Sequence, residues 1–97
     1  MSLEPGQYYH IFNRGNNREN LFVEERNYRY FLQLYAKHIM PVAETYAYCL
    51  LRNHFHILVR IRDHGDLTGL APGVTTVDPS QAFSNLFNAY ARAFNRA

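Results

Sequence analysis

Cysteine is all but missing from this chain. Cys49 stands alone, so no internal disulfide can form, and with no CxxC pair or Cys/His cluster a structural zinc site has no ligand set. No segment approaches the ~20 apolar residues of a membrane-spanning helix, and the N-terminus lacks the charged-then-apolar pattern of a signal peptide. The expectation that follows is a cytoplasmic location with no membrane partner. Lysine is nearly absent too: of ten basic residues, only Lys37 is not arginine. Acids thin out along the chain, with Glu44 the only one from Arg26 through Arg62 and none from Pro79 through Ala97. Internal repeats and low-complexity tracts are not seen.

What remains is the material of one small domain. Its 97 residues are 47% apolar and 15% aromatic, enough to bury a modest core and too apolar for a disordered chain. Arginine presents a planar fork that suits phosphate oxygens. A basic sector with Tyr and Phe interleaved fits a surface for single-stranded nucleic acid. A GC-rich coding bias would produce the same arginine usage.

The periodicity predicts five elements. Gln7 to Arg14 reads as a strand, followed by turn chemistry at Asn13-Arg14-Gly15-Asn16-Asn17. Tyr28, Phe31, Leu32, Tyr35 and Ile39 form the apolar stripe of an amphipathic helix over about 24–39, which Pro41 ends. Val42 to Leu51 and His54 to Arg62 read as strands, and the tight turn at Arg52-Asn53 makes them an antiparallel hairpin. Asp63 to Asp78 is a long loop of the kind that carries function or moves. Asp78-Pro79-Ser80-Gln81 starts a second helix, with Asp as cap, Pro in the first turn and Gln for a capping box. Phe83, Leu86, Phe87, Tyr90 and Phe94 are its stripe.

The order strand-helix-strand-strand-helix predicts an α+β fold, a ferredoxin-like split βαβ sandwich with helices on one face of an antiparallel sheet. One more strand would complete it. The chain reaches Ala97 in or at the end of the second helix without a capping glycine, so residues 1–97 are read as a single domain truncated at its C-terminus.

The chemistry concentrates in Asn53-His54-Phe55-His56-Ile57-Leu58-Val59. Side chains alternate along a strand, so His54 and His56 share a face, roughly 6–7 Å apart at the backbone, while Phe55, Ile57, Val59 and Ile61 face the other way. Two imidazoles on one face of a strand make a candidate divalent-metal site. Two surface histidines would give the same pattern. If the second helix covers the histidine face, Tyr90 approaches the pair. A phenol beside a divalent ion suits attack on a phosphodiester, and Arg92 and Arg96 on the same helix would help it ionise and are candidate DNA contacts. The competing reading makes Tyr90 an ordinary core residue of an apolar stripe.

Three blocks carry a family resemblance: Tyr9-His10-Ile11-Phe12-Asn13-Arg14-Gly15-Asn16-Asn17, Tyr48-Cys49-Leu50-Leu51-Arg52-Asn53-His54-Phe55-His56-Ile57-Leu58-Val59, and Tyr90-Ala91-Arg92-Ala93-Phe94-Asn95. Over nearly its whole length the chain resembles the single-tyrosine, HUH-motif transposases of small insertion sequences, in particular the REP-associated branch. The resemblance implies a DNA transposase that cleaves and rejoins single-stranded or hairpin DNA. It implies Mg2+ or Mn2+ held by His54 and His56, with Tyr90 as nucleophile, a 5′-phosphotyrosine link and a free 3′-hydroxyl. It further implies a homodimer in the cytoplasm of a bacterium, acting on a nucleoid-associated substrate.

A helix-borne amide is the third ligand in such enzymes. Asn95 is the candidate, though it stands five residues after Tyr90, about 140° round the helix. Phe94 occupies the better-aligned position, and Asn88 or a water is the alternative. Asn13, Arg14, Asn16, Asn17 and Arg18 form a polar loop that reads as a DNA contact or as a plain hydrophilic turn. Arg52, Arg60 and Arg62 flank the histidine strand, and Arg60 shares the histidine face, so a phosphate contact is expected there. His10 faces the same site if the first strand neighbours the hairpin, while His38 and His64 read as structural or exposed.

Two other functions fit the sequence. A ferredoxin-like sheet bearing Tyr and Phe can stack bases without chemistry, as a non-catalytic nucleic-acid-binding module. A decayed transposase remnant would keep the fold as an interaction protein.

Overall fold

A strand buried on one side and wet on the other needs a cover for its apolar side only, and the middle of this chain is built on that rule. A computed structural model describes residues 2–14, 20–63 and 78–96. The elements are β1 (Tyr8–Arg14), α1 (Glu25–His38), β2 (Ala43–Leu51), β3 (His54–Ile61) and α2 (Pro79–Arg96). The three strands form an antiparallel sheet in the order β1-β3-β2. The fold is α+β, with an open three-stranded sheet and two helices, and is compatible with the ferredoxin-like split βαβ arrangement. The expected loop between Asp63 and Asp78 lies outside the described residues over 64–77, as does His64.

β3 is central, and its alternation is clean: Phe55, Ile57, Val59 and Ile61 are buried while His54, His56, Leu58 and Arg60 are not. Phe31, Leu34 and Tyr35 of α1 and Ala82, Phe83, Leu86 and Tyr90 of α2 join them in the core. Phe31 sits at its aromatic centre, with ring centroids 5.4 Å from Phe22, 5.3 Å from Phe55 and 5.3 Å from Tyr90. Both helices therefore cover the Phe55 face.

The stripe of α1 is turned from the expected one. Leu34 is buried and Leu32 is exposed. At about 100° per residue, Leu34 lies only about 60° from Phe31, whereas Leu32 lies about 100° away on the far side from Leu34. The start of α1 is held by Asn27, whose Oδ1 accepts the backbone N–H of Val23 (2.9 Å) and of Glu24 (2.7 Å). At the start of α2, Asp78 Oδ1 accepts the Ser80 N–H at 3.2 Å. Gln81 does not reach back to close a capping box; its amide donates down the helix to Asn85 Oδ1 at 2.9 Å.

The hairpin register contains one irregularity, between Thr45 and Ala47. With Tyr46 as the extra residue, Glu44 comes opposite Arg60 on the open face and Thr45 opposite Val59 on the covered face. Thr45 there shares a 2.5 Å hydroxyl hydrogen bond with Tyr35.

The burial pattern sets an expected contrast in urea denaturation. Leu34→Ala lowers the unfolding free energy by about 2–5 kcal/mol, the cost of a cavity in the core. Leu32→Ala changes it by less than about 1 kcal/mol, as surface positions do.

Candidate metal and nucleic-acid face

Among the described residues, one face of the sheet carries no helix, and it gathers three of the five histidines, His10, His54 and His56. Directly opposed residues of paired strands share a face. The register sets Arg14 opposite His54, Phe12 opposite His56 and Cys49 opposite His56 from the other side. His10, two residues before Phe12, belongs to the same face, and its Nε2 lies 2.8 Å from His56 Nδ1. The two rings are nearly parallel, with centroids 5.0 Å apart and planes at 17°. Phe12 continues the ladder, 5.1 Å from His10, and is 66% exposed. His54 and His56 have ring centroids 5.1 Å apart, close enough for one ion about 2.1 Å from a nitrogen of each.

His54 Nδ1 is 2.7 Å from Asn53 Oδ1. A carbonyl oxygen only accepts, so Nδ1 carries the proton and Nε2 keeps its lone pair for a ligand. The pKa of His56 is lowered, chiefly by desolvation, with positive charge on His10, His54 and Arg14 adding to the shift. His10, Phe12, Asn13, Arg14, His54 and His56 line an open hollow of about 490 Å3. A second hollow, between α1 and β2, is lined by residues such as Leu32, Met40 and Tyr48 and contains no histidine and no charged side chain.

Among the described residues, no group of three His, Cys, Asp or Glu side chains is placed to hold a metal ion. Two imidazoles with free lone pairs fit an ion only where water or substrate oxygens complete its shell. Nitrogen donors of this kind favour Mn2+ over Mg2+.

Tyr90 is not brought to the histidines. α2 covers the Phe55 face, and Tyr90 lies in the core beneath it, 7% exposed. Its hydroxyl donates to the Leu21 carbonyl at 2.5 Å, and its ring meets Phe22, Phe31 and Phe94. Burial, with a smaller contribution from Tyr28, pushes its phenol well above the ordinary tyrosine value. Each of these disfavours the phenolate that a nucleophile needs. The core reading of the stripe holds, and the condition for Tyr90 to approach the histidines, a helix over their face, is not met. No residue of α2 lines the histidine hollow. Asn88 and Arg92 are exposed on that helix, across the sheet, and the side chains of Asn95 and Arg96 lie outside the described residues. A third ligand from α2 is therefore not among the described side chains.

The arginines divide. Arg14 faces His54 and is exposed. Arg52 is exposed in the hairpin turn beside it, its carbonyl accepting the N–H of Leu21 (2.8 Å) and of Phe22 (3.0 Å). Arg60 shares the histidine face as expected, but its guanidinium is occupied by Glu44 at 2.9 Å and Asp63 at 3.1 Å. Both carboxylates compete with any phosphate for that guanidinium. Arg62 turns to the Met40 carbonyl at 3.0 Å. Arg18, Asn16 and Asn17 lie outside the described residues. No helix among the described residues is long and apolar enough to cross a membrane.

Compared with family models, curated proteins and solved structures, the chain matches none. Tyr90→Phe leaves the Leu21 carbonyl without this donor. The expected result is a loss of about 1–3 kcal/mol in urea denaturation, with the ring signals of His10, His54 and His56 unchanged.

Proposed function

We propose that the open face of the sheet binds single-stranded DNA and cleaves it at a site served by a divalent ion, as the HUH-type single-tyrosine transposases do. The observation that supports this best is the convergence of His54, His56 and His10, with Arg14 beside them, on the one sheet face that carries no core. An ion held by His54 and His56 would polarise the oxygens of the scissile phosphate. Arg14 and Arg52 would contact flanking phosphates, and exposed Phe12 offers a ring on which a base can stack.

The cleavage is a transesterification. A tyrosine oxygen forms a bond to phosphorus as the bond to the 3′ oxygen breaks, the phenol gives up its proton and the 3′ oxygen gains one. Bond energy is kept in the phosphotyrosine, so no ATP is required. The attacking phenol is not Tyr90 of the fold described above, because that hydroxyl is sealed on the opposite face of the sheet. All eight tyrosines of the chain lie among the described residues, so an exposed one carried by a second copy of the chain would fill the role.

A second reading has its own support. No tyrosine lines the histidine hollow, whereas Phe12 and Tyr8 stand exposed on the same face. A module that binds single strands without cutting them needs no more than these rings and Arg14.

The test is a labelled hairpin oligonucleotide with Mn2+, followed by a denaturing gel. The expected result is a covalent protein–DNA adduct that His54→Ala and His56→Ala abolish and Tyr90→Phe retains. Tight binding without an adduct favours the binding module. An adduct lost in a folded Tyr90→Phe variant returns Tyr90 to the nucleophile's role and requires α2 to leave its packing.

A further inference from the structure

The contact between His10 and His56 differs in kind from that between Asn53 and His54. Asn53 offers an oxygen, which fixes the proton on His54 Nδ1. His10 offers a ring nitrogen 2.8 Å from His56 Nδ1, and two ring nitrogens at that distance share a single proton. If His56 accepts, its other nitrogen carries the remaining proton and neither is free to bind an ion. If His56 donates, its Nε2 lone pair is free for an ion, as that of His54 is.

The surroundings hold the ring in place. His56 lies almost parallel to His10, at 17°, and is stacked against Phe12 with centroids 6.3 Å apart. β1 and β3 are paired along their whole length, from Tyr8 opposite Arg60 to Arg14 opposite His54, so His10 is delivered to this place by backbone pairing. Its own ring is exposed and takes no part in the core.

We propose that His10 is a positioning residue. It accepts the Nδ1–H of His56 and thereby holds His56 in the tautomer whose Nε2 is free, so that both histidines of the β3 pair present the same nitrogen to the open face. The role rests on the reading of His54 and His56 as an ion-holding pair, yet the tautomer itself is observable without any ion. Outer partners of this kind orient a ligating imidazole and commonly change metal affinity by about 10–100-fold when removed.

The experiment uses the 97-residue chain labelled with 15N, read by long-range 1H–15N correlation of the histidine rings and then titrated with Mn2+. His56 is expected to show a protonated Nδ1 and a bare Nε2. His10→Gln, whose amide oxygen is also an acceptor, keeps that pattern. His10→Phe fills the space without an acceptor, mixes the tautomers and raises the Mn2+ concentration needed to broaden the His56 signals by about 10–100-fold. A wild-type His56 protonated at Nε2 overturns the proposal. So does a His10→Phe variant with unchanged tautomer and unchanged Mn2+ response. If the wild-type tautomer is as proposed but Mn2+ broadens neither His54 nor His56, the ion-holding reading fails while the grip of His10 on His56 stands.

Discussion

Everything in this domain hangs on the two-residue repeat of β3. As the central strand it must satisfy neighbours on both edges, and its side chains have only two directions to take. Phe55, Ile57, Val59 and Ile61 take one, and the two helices are drawn to that side because only there can their apolar stripes leave water. His54, His56, Leu58 and Arg60 take the other. A shift of one residue in pairing would exchange the two sets and bury the imidazoles under α1 and α2. The strong apolar preference of four alternate positions thus determines where the histidines can work.

The two sides are joined through backbone carbonyls. Tyr90 holds the Leu21 carbonyl from within the core, and the Leu21 N–H in turn donates to the Arg52 carbonyl in the turn that leads into His54. The core thereby fixes the path of the chain just ahead of the histidines without any core side chain reaching them. On the open face the partners are polar and local: Asn53 on His54, and His10 on His56. Arg60 is paired with carboxylates, and among the described residues Arg14 and Arg52 are the exposed cations around the hairpin turn.

Much of this was legible in the sequence, since the strand and helix limits follow from local periodicity and from Pro41, Asp78 and the Arg52-Asn53 turn. The shared face of His54 and His56 follows from alternation alone. The placing of Tyr90 was legible as well, had two readings been combined. The residues that send Phe55 into the core also demand that the helices lie over Phe55, which takes Tyr90 away from the histidines. A helical stripe on its own says which side of the helix is apolar and nothing of which sheet face it will cover. Other features depend on pairing between distant segments. The irregularity at Tyr46 puts Glu44 against Arg60, and the β1 register brings His10 to His56. No local pattern encodes either one.

The separation of the two faces has an evolutionary consequence. None of His10, Phe12, Arg14, His54 or His56 belongs to the buried core, so replacing them alters the chemistry of the sheet while the folding free energy stays nearly constant. Selection for a folded chain and selection for the open face then act on different residues. Such a domain can drift from one activity to another, or to none, without passing through an unfolded ancestor. It also makes a forgiving scaffold on which a new constellation of side chains can be written across three adjacent strands.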